Sequence, residues 1–238
     1  MIEQSFDCVK WEMLAGVFIC TMLCYTTSGN AIGYSFIRMV DSMCGRYQFS
    51  AEQSAEILQI VQEVQDKCGA KAAEAIRQGE ITPGCKMPVL IGSDEGAMPE
   101  LMVWGYRLPR AMLVNAKAET ALEKPTFAES AQFRHCVVPS TGFYEWDAYK
   151  RKYHFTLPEA ETLYMAGLFD VRGGTPCYVI LTTAANDSMR EIHDRMPLIL
   201  EKEQIEPWLC DRKATEYFLR MTPPLLNVRS MEAQMGLW

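Results

Sequence analysis

The chain has 238 residues and a formal net charge of −7 at pH 7. This acidic balance argues against indiscriminate binding to duplex DNA, although a few well-placed Arg or Lys residues can still form a local groove for phosphates. The nine Cys form no C-x-x-C pair and no Cys/His cluster at zinc-ligand spacing. We therefore expect a reduced, cytoplasmic protein that binds no metal and needs no cofactor.

The first 42 residues differ in character from the rest of the chain. An apolar run at 13–25 follows a segment with more acidic than basic residues, which is the wrong charge for the start of a secretory signal. The run is also shorter than the roughly 20 apolar residues that a membrane-spanning helix needs. We expect 1–42 to be a leader outside the domain, from a misassigned start or a propeptide, and 43–238 to be the domain.

The first half of the domain contains helical patterns followed by extended ones. Residues 50–53 have the form of a capping box, and the apolar spacing after them predicts a helix that begins at Ser50. A second helix is predicted over 71–78, ending at Gly79. A turn at 82–84 then leads into the extended segment 87–91.

The second half is predicted to be mostly sheet. A hairpin turn at 93–96 leads into a strand at 101–104, and a second capping box at 126–129 opens a short helix to Arg134. Further strands are predicted at 136–138, 143–146, 153–157, 164–169 and 178–182. Short loops between consecutive strands imply antiparallel pairing. The expected fold is α+β, a single compact domain with a mostly antiparallel, barrel-like sheet core flanked by helices.

One residue has an unusual chemical capacity if it becomes the N-terminus. Cys44 follows Met43, and Met before a small residue is readily removed. A free α-amine, with a pKa of about 7.7 to 8.0, is partly neutral near pH 7 and attacks aldehydes. The neighbouring thiol can then close a five-membered thiazolidine ring.

Four segments carry polar groups in apolar or turn-rich surroundings, at 44–46, 115–120, 142–146 and 192–197. In their order and spacing they resemble the SRAP family, the SOS-response-associated peptidases, also called abasic-site processing proteins. The resemblance runs from Met43 to about Leu209. It implies that Cys44 crosslinks the ring-opened aldehyde of an abasic site in single-stranded DNA as a thiazolidine during the DNA damage response, acting as a monomer.

The resemblance also implies roles for three polar residues. Glu145, between two aromatic residues on a predicted strand, would move protons while the Schiff base forms and reverses, with a pKa raised by its apolar setting. His193, with an ordinary pKa near 6.5, would donate a proton to the sugar oxygen as the ring opens. Asn115 would orient the Cys44 terminus, because its amide both donates and accepts.

A second group is expected to bind DNA. Arg46 and Arg195 are the predicted phosphate contacts, and Trp104 is predicted to offer a stacking face for an unpaired base. Where the family commonly has Arg, this chain has Lys117, which keeps the charge but loses the bidentate fork. The other two histidines, His135 and His154, are expected to be structural.

Two other functions are compatible with the same residues. In one, Cys44 is the nucleophile of a thiol peptidase with His193 and Glu145, which cleaves the chain once, in cis. In the other, the protein is a noncovalent module that shelters single-stranded DNA through its Arg, Lys and Trp side chains. A Cys44→Ala variant separates these hypotheses, because only the noncovalent module retains DNA unchanged.

Overall fold

The computed structural model describes residues 9–14, 17–25, 31–39, 45–109 and 111–231. The strands in these residues are β1 (Val9–Leu14), β2 (Val17–Tyr25), β3 (Ala31–Met39), β4 (Arg46–Phe49), β5 (Gly79–Ile81), β6 (Lys86–Ser93), β7 (Gly96–Trp104), β8 (Tyr106–Leu108), β9 (Ala111–Leu113), β10 (Asn115–Lys117), β11 (His135–Ser140), β12 (Gly142–Trp146), β13 (Lys152–Thr156), β14 (Leu163–Arg172), β15 (Thr175–Ala184), β16 (Arg195–Pro197), β17 (Ile199–Leu200) and β18 (Asn227–Ser230). The α-helices are α1 (Ala55–Cys68), α2 (Ala70–Glu74), α3 (Ala128–Phe133), α4 (Ile205–Cys210) and α5 (Thr215–Arg220). Within the described ranges, no helix combines the length and apolarity that crossing a membrane demands.

Five strands close into a barrel. Antiparallel pairs join β7 to β6, β6 to β11, β11 to β14 and β14 to β15. The parallel pair of β15 with β7 completes the ring. The second half of β15 extends past this ring and pairs with β10 on one side and β16 on the other.

Two further sheets accompany the barrel. One has the order β18-β13-β12-β4-β5, with every neighbouring pair antiparallel. The other has the order β1-β2-β3-β9-β8, in which β3 pairs in parallel with β9. The architecture is the predicted α+β fold, with a mostly antiparallel, barrel-like sheet core flanked by helices.

The barrel strands are buried on both faces, because side chains alternate across a strand and each face has its own apolar cluster. On β15, Tyr178 and Ile180 belong to one cluster, which also contains Ile57 of α1. Val179 belongs to the other, where Trp208 of α4 is fully buried. Full burial of one large apolar side chain contributes about 1.5 to 3 kcal/mol, so α1 and α4 stabilise the barrel by packing into these two clusters.

The capping box predicted at Ser50 is wrong as a helix start. The residue that caps helix α1 lies four positions later: Ser54 adopts an extended conformation, and its Oγ accepts the N–H of Ile57 at 3.1 Å. The N–H of Gln53 is instead donated to the carbonyl of Ser50 in a turn, at 3.3 Å. A side-chain cap therefore exists, but it is the next serine along the chain.

The second capping box is also displaced. Helix α3 follows Phe127, which caps it without a side-chain hydrogen bond. The carbonyl of Thr126 accepts a bond from Nη2 of Arg172 on β14, at 3.0 Å. A tertiary contact thus fixes the entry to this helix. The turn at 82–84 and the hairpin at 93–96 lie where they were predicted.

Gly142 opens β12, the strand that carries Glu145, and has φ of +146°. A Cβ atom there would lie 2.5 Å from Nε2 of His154 and 2.6 Å from the carbonyl oxygen of Phe155. We expect Gly142→Ala to lower the free energy of unfolding by about 3 kcal/mol, through backbone strain and steric overlap together. Denaturation in guanidinium chloride measures the loss.

Gly96→Ala is the matched control, because Gly96 has φ of +107° but nothing within 4 Å of a Cβ atom. It should cost only the strain of a left-handed conformation, about 1 to 2 kcal/mol. Equal losses in the two variants would show that close packing at the start of β12 contributes nothing.

Candidate functional site

The pairing of β4 with β12 builds the first part of the site. Arg46 lies opposite Tyr144 in an antiparallel register, and one more step of that register places Gly45 opposite Glu145. Gly45 is buried. Cys44 itself lies outside the described residues, but it is joined directly to this buried glycine. The predicted proximity of Cys44 and Glu145 stays a prediction, supported by this register.

Glu145 is a buried carboxylate. Its side chain is 5 % exposed and shares a sheet face with Phe143, because successive residues of β12 alternate in direction. Oε1 accepts the main-chain N–H of Trp146 at 3.3 Å. Its cross-strand neighbour on β13 is Tyr153. A carboxylate kept from bulk water in this way is suited to exchanging protons with a group brought to it.

The second part of the site assembles on the outer half of β15. Asn115 lies opposite Ile180, and Lys117 lies opposite Thr182 on one side of that strand. On the other side, Ala184 pairs with Arg195 of β16. The strand pairings thus bring together, at one end of the sheet, three of the predicted site residues: Asn115, Lys117 and Arg195. Their positions in the sequence alone did not imply this proximity.

Arg195 is held by its neighbours. Its Nη1 and Nη2 atoms both contact the carboxylate of Glu119, the second of these at 2.8 Å. Nη2 also donates to the carbonyl of Thr182 at 2.6 Å. The fork of the guanidinium, which was predicted to bind phosphate, is therefore directed at a carboxylate of the same chain. Arg195 can contact a phosphate only if the phosphate replaces the Glu119 carboxylate on the guanidinium.

His193 lies in the turn between β15 and β16 with its side chain 29 % exposed. Its Nδ1 accepts the main-chain N–H of Arg195 at 3.1 Å. Burial lowers the pKa of His193, and the carboxylate of Asp194, 3.0 Å from Nδ1, opposes that shift without reversing it. Burial thus favours the neutral ring, and the bond from the Arg195 N–H to Nδ1 favours the tautomer with its proton on Nε2.

The prediction that Trp104 stacks on a base is wrong. The indole is 0 % exposed, and its Nε1 donates to the carbonyl of Val114 at 3.0 Å. The ring packs against Tyr47 and Tyr178, at centroid distances of 5.1 and 6.3 Å. Trp104 therefore acts inside the core, where it fixes the backbone just before Asn115.

The two parts of the site are joined through this aromatic cluster. The hydroxyl groups of Tyr47 and Tyr178 lie 2.9 Å apart in a buried hydrogen bond, which ties β4 to β15. A cavity of about 320 Å³ makes a second connection, because Tyr153 and Ile192 both line it. The first of these is the neighbour of Glu145, and the second precedes His193.

Arg46 belongs to a polar network on the opposite face of the sheet from Glu145. Its Nη1 donates to Oε1 of Glu80 at 2.5 Å, and Nζ of Lys152 donates to Oε2 at 2.5 Å. The guanidinium also lies 5.5 Å from the ring of Trp146. Arg46 is placed at the surface beside the Cys44 segment, as a phosphate contact requires, and Glu80 partly balances its charge.

Sequence reasoning assigned no role to two carboxylates that organise these cations, Glu80 and Glu119. Glu119 could have been suspected from the sequence, because it follows Lys117 by two residues. Glu80 gave no local signal, since strand pairing brings it near Arg46. Of the remaining histidines, His135 is a core residue as predicted, stacked on Trp208 with a centroid distance of 4.1 Å. Within the described residues, no group of three His, Cys, Asp or Glu side chains could hold a metal ion.

Comparison with known proteins gives one family match and several relatives. The family model described as SOS response associated peptidase (SRAP) matches residues 43–234. The abasic site processing protein YoqW of Bacillus subtilis is 33% identical over 138 residues, which cover 54% of this chain and 59% of that protein. The abasic site processing protein YedK of Escherichia coli is 25% identical over 181 residues, 70% of this chain and 79% of that protein.

A third relative is similar to this chain, and solved structures share its fold. The abasic site processing protein HMCES of Xenopus tropicalis is 30% identical over 143 residues, 48% of this chain and 43% of that protein. A Bacteroides thetaiotaomicron protein of known structure superposes with a TM-score of 0.64 at 22% identity, covering 80% of this chain and 93% of its own. A phage-related protein of Bordetella bronchiseptica reaches a TM-score of 0.61 at 22% identity, covering 81% of this chain and 96% of its own.

Replacement of Trp104 by Phe tests its role inside the core. The variant loses the bond to the Val114 carbonyl and part of the packing, and we expect the free energy of unfolding to fall by about 2 kcal/mol. The side-chain amide resonance of Asn115 should also shift, because the backbone before it is released. Trp208→Phe is the matched control, since Trp208 also donates from a buried indole to a carbonyl, that of Cys136 at 2.9 Å. It should lose similar stability without moving the Asn115 signal, and an equal shift in both variants would contradict the assignment.

Proposed function

Because the chain belongs to the SRAP family, whose model matches residues 43–234, we propose that it processes abasic sites in single-stranded DNA by forming a covalent thiazolidine at Cys44. The chain spans about 59% of the length of YoqW, among the curated relatives that it matches. These relatives are named as abasic site processing proteins. The covalent step is inferred from the chemistry of the residues.

One observation carries the proposal. The register of β4 on β12 pairs Arg46 with Tyr144, its continuation by one residue brings Gly45 opposite Glu145, and that glutamate is 5 % exposed. The residue joined to Gly45 is a cysteine. A buried proton-exchanging carboxylate beside an amine and a thiol is the combination that imine and thiazolidine formation uses.

The reaction balances without a cofactor. The Cys44 amine adds to the aldehyde carbon of the ring-opened sugar, and loss of one water gives an imine. The Cys44 thiol then adds across the C=N bond, with its proton passing to nitrogen, and closes the five-membered ring. The product weighs the sum of protein and DNA less one water, and reversal returns the aldehyde. Glu145 is placed to accept and return the protons of these steps.

Two further residues support the reaction from the outer half of β15. In its protonated form, the partly exposed His193 would give its Nε2 proton to the sugar ring oxygen as the ring opens, and the proton that stays on Nδ1 would face the Asp194 carboxylate, 3.0 Å away. Asn115 would orient the Cys44 terminus by its amide. Lys117, which is exposed, and Arg46 would hold the phosphates that flank the lesion.

The reaction requires a free α-amine on Cys44, so Cys44 must be the N-terminal residue. We therefore propose that 43–238 is the functional unit and that 1–42 is absent from, or removed before, the reacting form. Two routes would free this amine: translation from Met43 followed by removal of that Met, or a single cleavage in cis before Cys44 with its thiol as nucleophile. The second route would be a peptidase activity. The family description supports that activity by the word peptidase. A chain that keeps its leader and releases it on incubation would demonstrate it.

Intact mass of a protein that begins at Cys44 tests the covalent step. After incubation with a single-stranded oligonucleotide that carries one abasic site, we expect one oligonucleotide mass less one water to be added. Cys44→Ala keeps an N-terminal amine but has no thiol, so it should form only an imine that is trapped by borohydride and otherwise lost. A stable adduct on the alanine variant, or none on the parent, would reject the thiazolidine. Unchanged DNA retention in both would favour the noncovalent module.

Single-turnover rates across pH test the two proton-transfer residues. Since burial lowers the pKa of His193, its acidic form, and with it the rate of ring opening, should grow as pH falls through a value below the ordinary 6.5 of histidine. His193→Ala should lose this rise and react about 10²-fold more slowly. Glu145→Gln should be slow at every pH and keep the rise, so identical profiles for the two variants would refute their separate roles.

A further inference from the structure

Glu119 binds Arg195 more firmly than a surface ion pair requires. It lies in the 3-10 turn Ala118–Thr120 that follows β10, and both of its oxygens contact the guanidinium of Arg195, one at 2.8 Å. The Arg195 side chain is only 15% exposed, and Thr182 accepts a further bond from it. Two parallel charge-assisted bonds fix a guanidinium in position and in plane.

The main chain of Arg195 is bonded to His193. Its N–H points to Nδ1 of the imidazole at 3.1 Å. A ring nitrogen that accepts this bond carries no proton, which selects the neutral tautomer with Nε2–H, whereas the Asp194 carboxylate, 3.0 Å from the same Nδ1, favours a proton there. Anchoring the side chain of Arg195 therefore also anchors the donor that selects this tautomer.

We propose that Glu119 is a positioning residue for His193, which it reaches through Arg195 and keeps in the Nε2–H tautomer. The inference rests on the proposed role of His193 in proton transfer. It adds Glu119, a residue that the proposed function does not use. Glu119 touches neither the imidazole nor a reacting atom. Its effect passes through one ion pair and one main-chain hydrogen bond.

The charges around the imidazole determine how the loss of Glu119 changes the protonation of His193. On the segment of His193 itself, Asp194 favours the protonated ring and Arg195 disfavours it. On the neighbouring segment, Glu119 balances Arg195, and Lys117 is the other charge that acts on Glu119. Without the carboxylate, Arg195 is uncompensated beside the ring, so the imidazolium becomes harder to form.

Replacement of Glu119 by Gln tests the proposal by a measurement that does not depend on catalysis. In protein labelled with ¹⁵N-histidine, long-range proton–nitrogen spectra report the tautomer and titration of His193. In the parent we expect Nδ1 to be unprotonated and Nε2 to be protonated. In Glu119→Gln we expect a mixture of tautomers, titration at lower pH, and crosslinking about tenfold slower at neutral pH, a part of the 10²- to 10⁴-fold that acid–base catalysis contributes.

Glu129→Gln is the matched control, because Glu129 pairs with Arg134 at 2.9 Å on α3. It removes an equal charge and should leave the His193 spectra and the crosslinking rate unchanged. If Glu119→Gln does not fold, Glu119→Asp keeps the charge, but its side chain is too short for both contacts, so the tautomer mixture should still appear.

The outcomes separate this inference from the proposed function. Parent-like spectra in a folded Glu119 variant overturn the positioning role, whatever the crosslinking rate. Altered spectra with an unchanged rate support the positioning role and reject His193 as a proton donor in the reaction. Altered spectra with a slower rate support both.

Discussion

The site depends on a buried contact between three aromatic residues, Tyr47, Trp104 and Tyr178. The hydroxyl groups of the two tyrosines share a hydrogen bond of 2.9 Å, and burial raises the pKa of both far enough that they remain neutral. An unmade bond in this place would leave a buried hydroxyl at a cost of about 1 to 3 kcal/mol. The contact sets the position of β4 against β15, and hence of the Cys44 segment against Asn115 and Arg195. Separate sheets thus act as one frame for the site.

Two of the cations near the site are already paired with carboxylates of the same chain. Arg195 is bonded to Glu119, and Arg46 to Glu80. A DNA phosphate that binds either residue replaces a carboxylate, so the net gain is a difference between two similar interactions. Weak noncovalent affinity is the expected result. The proposed covalent bond would compensate for this, because retention would then depend on the lifetime of the adduct and the cations would need only to orient the strand.

Local signals predicted most of the elements but not the contacts between them. The alternation of apolar and polar residues and the positions of turn residues predicted the strands at 87–91 and 178–182, which lie within β6 and β15. The motif segments also contain the residues that pair with the second half of β15. The cap of α1 was misplaced by four residues, because Ser50 and Ser54 both fit a cap locally and tertiary packing chose between them. Ser54 Oγ lies 2.6 Å from the hydroxyl of Thr162, a contact that no local pattern contains. The burial of Trp104 was missed for the same reason, since a Trp beside a Gly is compatible with a loop face or a core.

In the proposed reaction, the different environments of Glu145 and His193 would divide the proton transfers between them. Glu145 is enclosed on the inner face of β12, with the main-chain N–H of Trp146 as a bond partner, while His193 stands partly exposed in a turn. Sites that carry out both acid and base steps commonly place two titratable groups in contrasting surroundings. An enclosed carboxylate suits steps in which the amine and thiol of an anchored cysteine give up protons. A partly exposed imidazole with Nε2–H suits a step that begins on incoming DNA. The aromatic contact is one of the links between the elements that carry these two groups, so the packing that holds the fold also holds the separation between Glu145 and His193.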